Sequence, residues 1–462
     1  MPRSARQPTP ASRQPSSKSG DAVVEATPKP SQRERLVDAM IELAAKSGYQ
    51  SVSITQVSSR AKVSSATFYE QFEGKEDCLL AAYRAVAERM FEEMRPMEQD
   101  GGDWPDAVHA ALARVLGALS RDPDGGRVLF IEALGGGPAI REERKRALAE
   151  LERRAQDFLE SPGDGRMLDL PITAAMGALR SIVARRLRTD AEDQLPLLVD
   201  DIMTWLECYA VPAGGEHWST NPDALLPVAP EPASAPATGA PARLPRGRHG
   251  LPAGVVARSR RTRLIYATAE VTMTKGYANT TVTDIVAQAG VARDVFYEHF
   301  SDKQHAFLEA QQHPTQHILD TCAASYFAAG DWPERVWSGL STLIEMIAST
   351  PAISHLRLVE CYAAGPAAIR RAEEITRSFA IFLEEGYGYR PRARELPRLC
   401  SEAIAGAIFE VIRGHIARRD TAALARQLPQ LVYIVITPFT GSEEAIQLVR
   451  KLSARHLAAG GS

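Results

Sequence analysis

Shifting the sequence by 228 places aligns Leu36 to Ala139 with Leu264 to Ala367 without a gap. Over residues 48–80, 11 of 33 positions are identical to their partners, including Gly-Tyr at 48 and 276, Phe-Tyr-Glu at 68 and 296, and Lys75 with Lys303. Gly-Asp-Trp-Pro recurs at 102 and 330, and Gly-Pro at 137 and 365. The chain must therefore build one architecture twice. The register drifts after the Gly-Pro pair, as a loop of changed length requires. The likeness returns near Gly177 and Gly406, then at Leu195-Pro196 and Leu428-Pro429.

Two stretches fall outside the repeats. Residues 1–30 hold five Arg/Lys against two acids with no apolar periodicity, the composition of a disordered basic arm. From Pro212 to Pro252 there are nine prolines in 41 residues, many alternating with alanine, which predicts a semi-stiff linker of polyproline character. The division that follows is a basic arm over 1–30, a first head over 31–80 and a helical domain over 81–211. A linker over 212–254, a second head over 255–308 and a second helical domain over 309–456 complete it.

Helical periodicity dominates. Leu36, Val37, Met40, Ile41 and Ala44 share one stripe, and strand-like alternation is scarce. The β-branched run LVYIVITPF near the C-terminus aligns with LLVDDIMTWLECY of repeat 1, and both read as buried helices. The fold class is all-α. With 45% hydrophobic residues, no apolar stretch long enough to span a bilayer and no apolar signal segment at the start, the expectation is a cytoplasmic chain without a membrane partner. Five widely spaced cysteines without CxxC spacing argue against a disulfide framework or structural zinc. A net charge of −3 rules out bulk polycation behaviour and leaves nucleic-acid binding to local basic surfaces.

In each repeat a first helix ends at glycine (Gly48, Gly276), and a short segment leads to a threonine placed to cap the next helix (Thr55, Thr283). A short second helix, a tight turn at Val63 or Val291 and a third short helix follow, the helix-turn-helix arrangement. Val63, Phe68 and Phe72 face inward, leaving Ser64, Ser65, Thr67 and Tyr69 for solvent or DNA. Lys62 stands where repeat 2 has the turn glycine Gly290. Lys29 to Lys75 carries a net +2 and Arg243 to Lys303 a net +5, so the second head is the more basic.

The runs TVTDIVAQAGVARDVFYEHFSDK and SITQVSSRAKVSSATFYEQFEGK resemble the DNA-binding module of the tetracycline-repressor (TetR) family. The resemblance implies two tandem TetR-like repeats, each an N-terminal three-helix helix-turn-helix module followed by a helical ligand-binding and dimerisation domain. It implies a transcriptional regulator, with a repressor that responds to a ligand as the expectation. Its partners would be double-stranded DNA and a small apolar effector, with the repeats pairing within one chain and further oligomerisation open. By position, Thr55 and Thr283 suit a phosphate at a helix N-terminus, while Tyr69, Tyr297 and His299 donate to the DNA backbone. Lys75 and Lys303 would neutralise another phosphate. Base reading falls to Ser65, Ala66 and Thr67 in repeat 1 and to Arg293, Asp294 and Val295 in repeat 2, so the operator would be asymmetric.

Residues 329–440 hold ten aromatics against five in residues 101–212. Trp337, Tyr362, Phe379, Phe382 and Phe409 are the candidates for an apolar effector pocket, with core packing the competing reading. No nucleophile–base spacing or metal motif supports an enzyme, and no cofactor is implied; HPTQH at 313–317 lacks the glutamate of a zincin. The alternative is a ligand sensor or protein-interaction scaffold whose helix-turn-helix modules no longer bind DNA.

Overall fold

The computed structural model describes residues 30–94, 104–159, 166–212, 218, 251–313 and 315–460. The basic arm up to residue 29 and most of the linker lie outside the described residues. Repeat 1 comprises α1 (Gln32–Ser47), α2 (Ile54–Ala61), α3 (Ser65–Gln71), α4 (Lys75–Met94), α5 (Trp104–Arg121), α6 (Pro123–Phe130), α7 (Pro138–Leu159), α8 (Ile172–Arg188) and α9 (Val199–Glu207). Repeat 2 begins with α10 (Ala253–Lys275), α11 (Val282–Ala289), α12 (Arg293–Tyr297), α13 (Lys303–Gln312), α14 (Thr315–Ala328) and α15 (Trp332–Ser349). It continues through α16 (Pro351–Leu358), α17 (Pro366–Phe379), α18 (Gly386–Tyr389), α19 (Leu399–Ala417), α20 (Leu428–Thr440) and α21 (Ser442–Gly460).

The fold is all-α. The exception among the described residues is a two-stranded antiparallel pair, β1 (Arg166–Leu168) with β2 (Ala210–Pro212), too short to show as alternation in the sequence. The single helix α4 corresponds to the two helices α13 and α14, and the sequence has Pro314 at the break. The linker begins and ends inside structure: Pro212 belongs to β2 and Ala253 already opens α10. Trp218 is fully buried, stacked on Tyr433 at 5.2 Å, with its amide donating to Asp169 Oδ2 at 2.9 Å.

Local chemistry explains the heads. Ser53 and Thr281, not Thr55 and Thr283, cap the second helices. Each hydroxyl accepts the amide three residues on, and the side chain there (Gln56 or Asp284) accepts the cap's own amide. Thr55 and Thr283 are therefore exposed first-turn residues. The helix ends at Lys62, φ 55°, where repeat 2 has Gly290, φ 62°. A side chain in this left-handed region costs about 1–2 kcal/mol. Lys62→Gly should raise the stability of head 1 by about 1 kcal/mol, seen as a higher urea midpoint at constant slope; an unmoved midpoint would show the turn unstrained.

Three apolar clusters follow. Head 1 packs Leu36, Met40, Val57, Phe68, Phe72 and Leu79 against Val128 and Ile140 of its own helical domain. Head 2 packs Leu264, Ile285, Phe296, Phe300 and Phe307 against Ile353, Leu356 and Ala368. The third cluster is shared, joining Ile182, Trp205 and Tyr209 of repeat 1 to Ile404, Ile412 and Tyr433 of repeat 2.

The repeats meet where α8 crosses α19, at Gly177 and Gly406. A Cβ on Gly406 would lie 2.6 Å from Ser181 Cβ and 3.2 Å from the Gly177 carbonyl, and one on Gly177 would strike Glu410 Cβ. Around this crossing Arg180 pairs with Glu410 and Arg188 with Glu373, while Arg185 and Arg186 reach Glu402 at 3.0 and 2.5 Å. Tyr209 Oη donates to the Ile434 carbonyl at 2.6 Å, and Tyr433 Oη to Asp169 Oδ2 at 2.7 Å.

Candidate nucleic-acid interface and interior cavity

The third helix of each head has a buried and an open side. Phe68, Phe72, Phe296 and Phe300 are at most 2% exposed. On the other side Ser64, Ser65, Ala66, Tyr69, Arg293, Asp294 and Tyr297 are exposed, with Thr67 and Val295 partly so. Each tyrosine ring packs edge-on against the preceding buried phenylalanine, at 5.6 Å for Tyr69 and 5.4 Å for Tyr297, which fixes an exposed hydroxyl on a rigid base. Arg293 donates to Tyr297 Oη at 3.3 Å with its guanidinium over the ring. In repeat 1 Ser64 caps α3, accepting the Thr67 amide at 3.0 Å, so both hydroxyls are already engaged with each other. Repeat 2 has Ala292 there, without a side-chain cap, and α12 is shorter.

Two expectations about phosphate contacts change. Lys75 Nζ donates to the carbonyls of Tyr49 and Gln50 at 3.1 and 3.3 Å. Lys303 Nζ donates to those of Tyr277, Ala278 and Thr280 at 3.0, 3.3 and 3.0 Å. Both ammonium groups also lie over a tyrosine ring, and burial holds both below the usual lysine range. All three protons of Lys303 have partners inside the head, so it braces the chain between the first two helices. Lys303→Ala should cost about 1–3 kcal/mol of stability by stranding those carbonyls. An unchanged unfolding midpoint with weakened DNA binding would return the lysine to the interface. His299 likewise turns inward, its Nε2 shielded and without a partner.

Each head is tied to its helical domain by a carboxylate. Glu132 Oε2 accepts the Tyr49 amide at 2.6 Å and Glu360 Oε2 the Tyr277 amide at 2.8 Å, at equivalent places in the two repeats. Burial raises the Glu132 carboxyl above the usual range, against the opposing pull of that amide. The turns carrying these residues touch: a Cβ on Gly135 would lie 2.7 Å from the Tyr362 carbonyl.

Beside the α8–α19 crossing lies a cavity of about 500 Å³ with walls from both repeats. Tyr362 and Phe409 line it. Phe379, Phe382 and Phe409 line a second, almost wholly apolar space of about 60 Å³ within repeat 2. Trp337 lines neither and packs on His456 at 5.9 Å.

The family model for bacterial regulatory proteins of the tetR family matches residues 36–82 and again 264–310, the two heads. Both heads belong to the tetR family of bacterial regulatory proteins. The chain is similar to the HTH-type transcriptional repressor KstR of Rhodococcus jostii, 32% identical over 91 residues, which is 20% of the chain and 42% of KstR. It is similar to the HTH-type transcriptional activator FasR of Mycolicibacterium smegmatis, 21% identical over 153 residues, covering 33% of the chain and 58% of FasR. The chain thus spans about half the length of these curated relatives. Among solved structures, FadR of Bacillus subtilis in complex with stearoyl-CoA aligns at 19% identity and TM-score 0.32, covering 40% of the chain and 98% of FadR.

The residues that escaped sequence reasoning are Glu132, Glu360 and the arginines of the cavity wall. The glutamates sit at matching places in the repeat, which was the available signal. The arginines come from helices far apart in sequence and carried none. No group of three His, Cys, Asp or Glu side chains placed for a metal occurs among the described residues, and no helix there is long and apolar enough to cross a membrane.

Proposed function

We propose that the chain is a sequence-specific DNA-binding transcriptional regulator whose two repeats act as the two halves of a dimer on a pair of dissimilar half-sites. The observation that carries this reading is the presence of two exposed third-helix faces of different chemistry, Ser65-Ala66 and Arg293-Asp294, on repeats that pack against each other through α8 and α19. Identical heads favour a palindrome. Here an arginine suited to guanine faces outward in one head only, and each good base contact discriminates by about 1–3 kcal/mol. A small molecule held in the interior cavity would act on the heads through the turns bearing Glu132 and Glu360.

Selection of bound sequences from a random duplex pool tests this. Two unlike half-sites should emerge, and Arg293→Ala should relax preference in one of them. Tyr297→Phe should weaken binding to all sequences by about fivefold, the worth of one hydrogen bond to phosphate, with stability unchanged. A selected palindrome would reject the paired-repeat reading, and failure to select any sequence would reject DNA recognition.

A further inference from the structure

The large cavity is lined by eight arginines and four carboxylates. Six of the arginines have a carboxylate partner: Glu410 takes Arg180 and Arg413, Glu402 takes Arg185 and Arg186, Glu373 takes Arg188, and Glu384 takes Arg398. Of the two left without a carboxylate, Arg377 is exposed to water and the buried one is Arg357. It is 8% exposed, and its hydrogen bond is to the hydroxyl of Thr315 at 3.1 Å, a neutral partner. Burial pulls its guanidinium down to about 10, which still leaves a cation at neutral pH. Arg188 adds an Nε–H that is shielded and unpartnered. A buried cation without an anion is costly, and a site that keeps one is stabilised by any anion that enters.

The wall also has an apolar part: Phe130 and Leu134 from repeat 1, Ile369 and Phe409 from repeat 2. Ala405 and Phe409 also line the smaller apolar space, so the two cavities share a wall. We propose that this cavity binds one anionic amphiphile per chain, a carboxylate or phosphate head against Arg357 and an apolar tail running along Ile369 towards Phe409. Repeat 1 has Leu129 at the position equivalent to Arg357, so a second such site in the other half has no cation to build on. The inference rests on the proposed function only in calling the ligand an effector, since binding is measurable without DNA.

Calorimetric titration of the full chain with octanoate, octyl phosphate and octanol, in the absence of DNA, tests it. One site per chain is expected, with at least one anion bound ten times or more tightly than octanol; which of the two does so identifies the headgroup. Arg357→Met should lower that affinity at least tenfold without lowering the melting temperature, and Arg357→Lys should keep most of it. Should the methionine variant fail to fold, Thr376→Trp, which fills the cavity from its wall, should abolish binding in its place. Equal binding of octanol and both anions, two equivalent sites per chain, or affinity indifferent to these substitutions would overturn the proposal.

Discussion

Replacing Gly406 by leucine should separate the two repeats. A Cβ at this position already stands 3.1 Å from Ala178 Cα and 3.2 Å from the Gly177 carbonyl, both backbone atoms that cannot rotate away. Overpacking a close helix crossing costs about 1–3 kcal/mol and more where backbone must move. A loss of about 3 kcal/mol or more is expected in urea unfolding, with DNA affinity reduced on the order of a hundredfold as the two heads lose their fixed relation. Gly414 lies two turns further along α19, where a Cβ would meet only the flexible end of Arg418 at 3.5 Å. Gly414→Ala should therefore be neutral or slightly stabilising. Equal behaviour of the two variants would mean that the crossing is not what holds the repeats together.

Removing Glu410 should be nearly as damaging. Its carboxylate faces Arg180 from the other repeat and Arg413 from its own helix, and all three side chains are at most 17% exposed. Burial, together with the charge of Arg413 beside it, already pushes the Arg180 guanidinium well below its usual range. Glu410→Ala would leave two buried cations facing each other, and stranding a buried charge costs about 3–5 kcal/mol. The double variant Arg180→Met, Glu410→Met removes one of those cations and fills the space with thioether, so it should regain a large part of the loss. A Glu410→Ala chain as stable as the parent would show that water reaches these groups.

The heads were the legible part of this molecule, because their information is local. Glycine stops, apolar spacing and the Phe-Tyr pair all act within a few residues of one another. The caps were misplaced by two residues for a simple reason: Ser53 and Thr55, like Thr281 and Thr283, are hydroxyl residues before the same apolar run, and only backbone geometry separates them. Lys75 was unreadable as a brace, since the carbonyls it serves belong to Tyr49 and Gln50, 26 and 25 residues earlier in the chain. Trp218 hid inside a proline-rich stretch whose average composition says linker, yet one large ring finds Tyr433 and is buried. The cavity arginines are spread over more than half the chain, and no spacing rule connects Arg180 to Arg357.

The ion pairs at the crossing run one way. Arg180, Arg185, Arg186 and Arg188 all belong to repeat 1, and Glu373, Glu402 and Glu410 all belong to repeat 2. At the equivalent places the other helices carry Phe409 for Arg180 and Ser181 for Glu410, so no mirror set exists. Two first repeats brought together would set arginine against arginine, and two second repeats glutamate against glutamate. In a protein that pairs with its own copy, every interface substitution arrives twice, at two symmetric places, and its cost is doubled at once. Here each arrives once. A harmful change on α8 can be answered by a single change on α19 with nothing else disturbed, so the two halves of this chain are free to accumulate differences at half the penalty that an identical pair would meet.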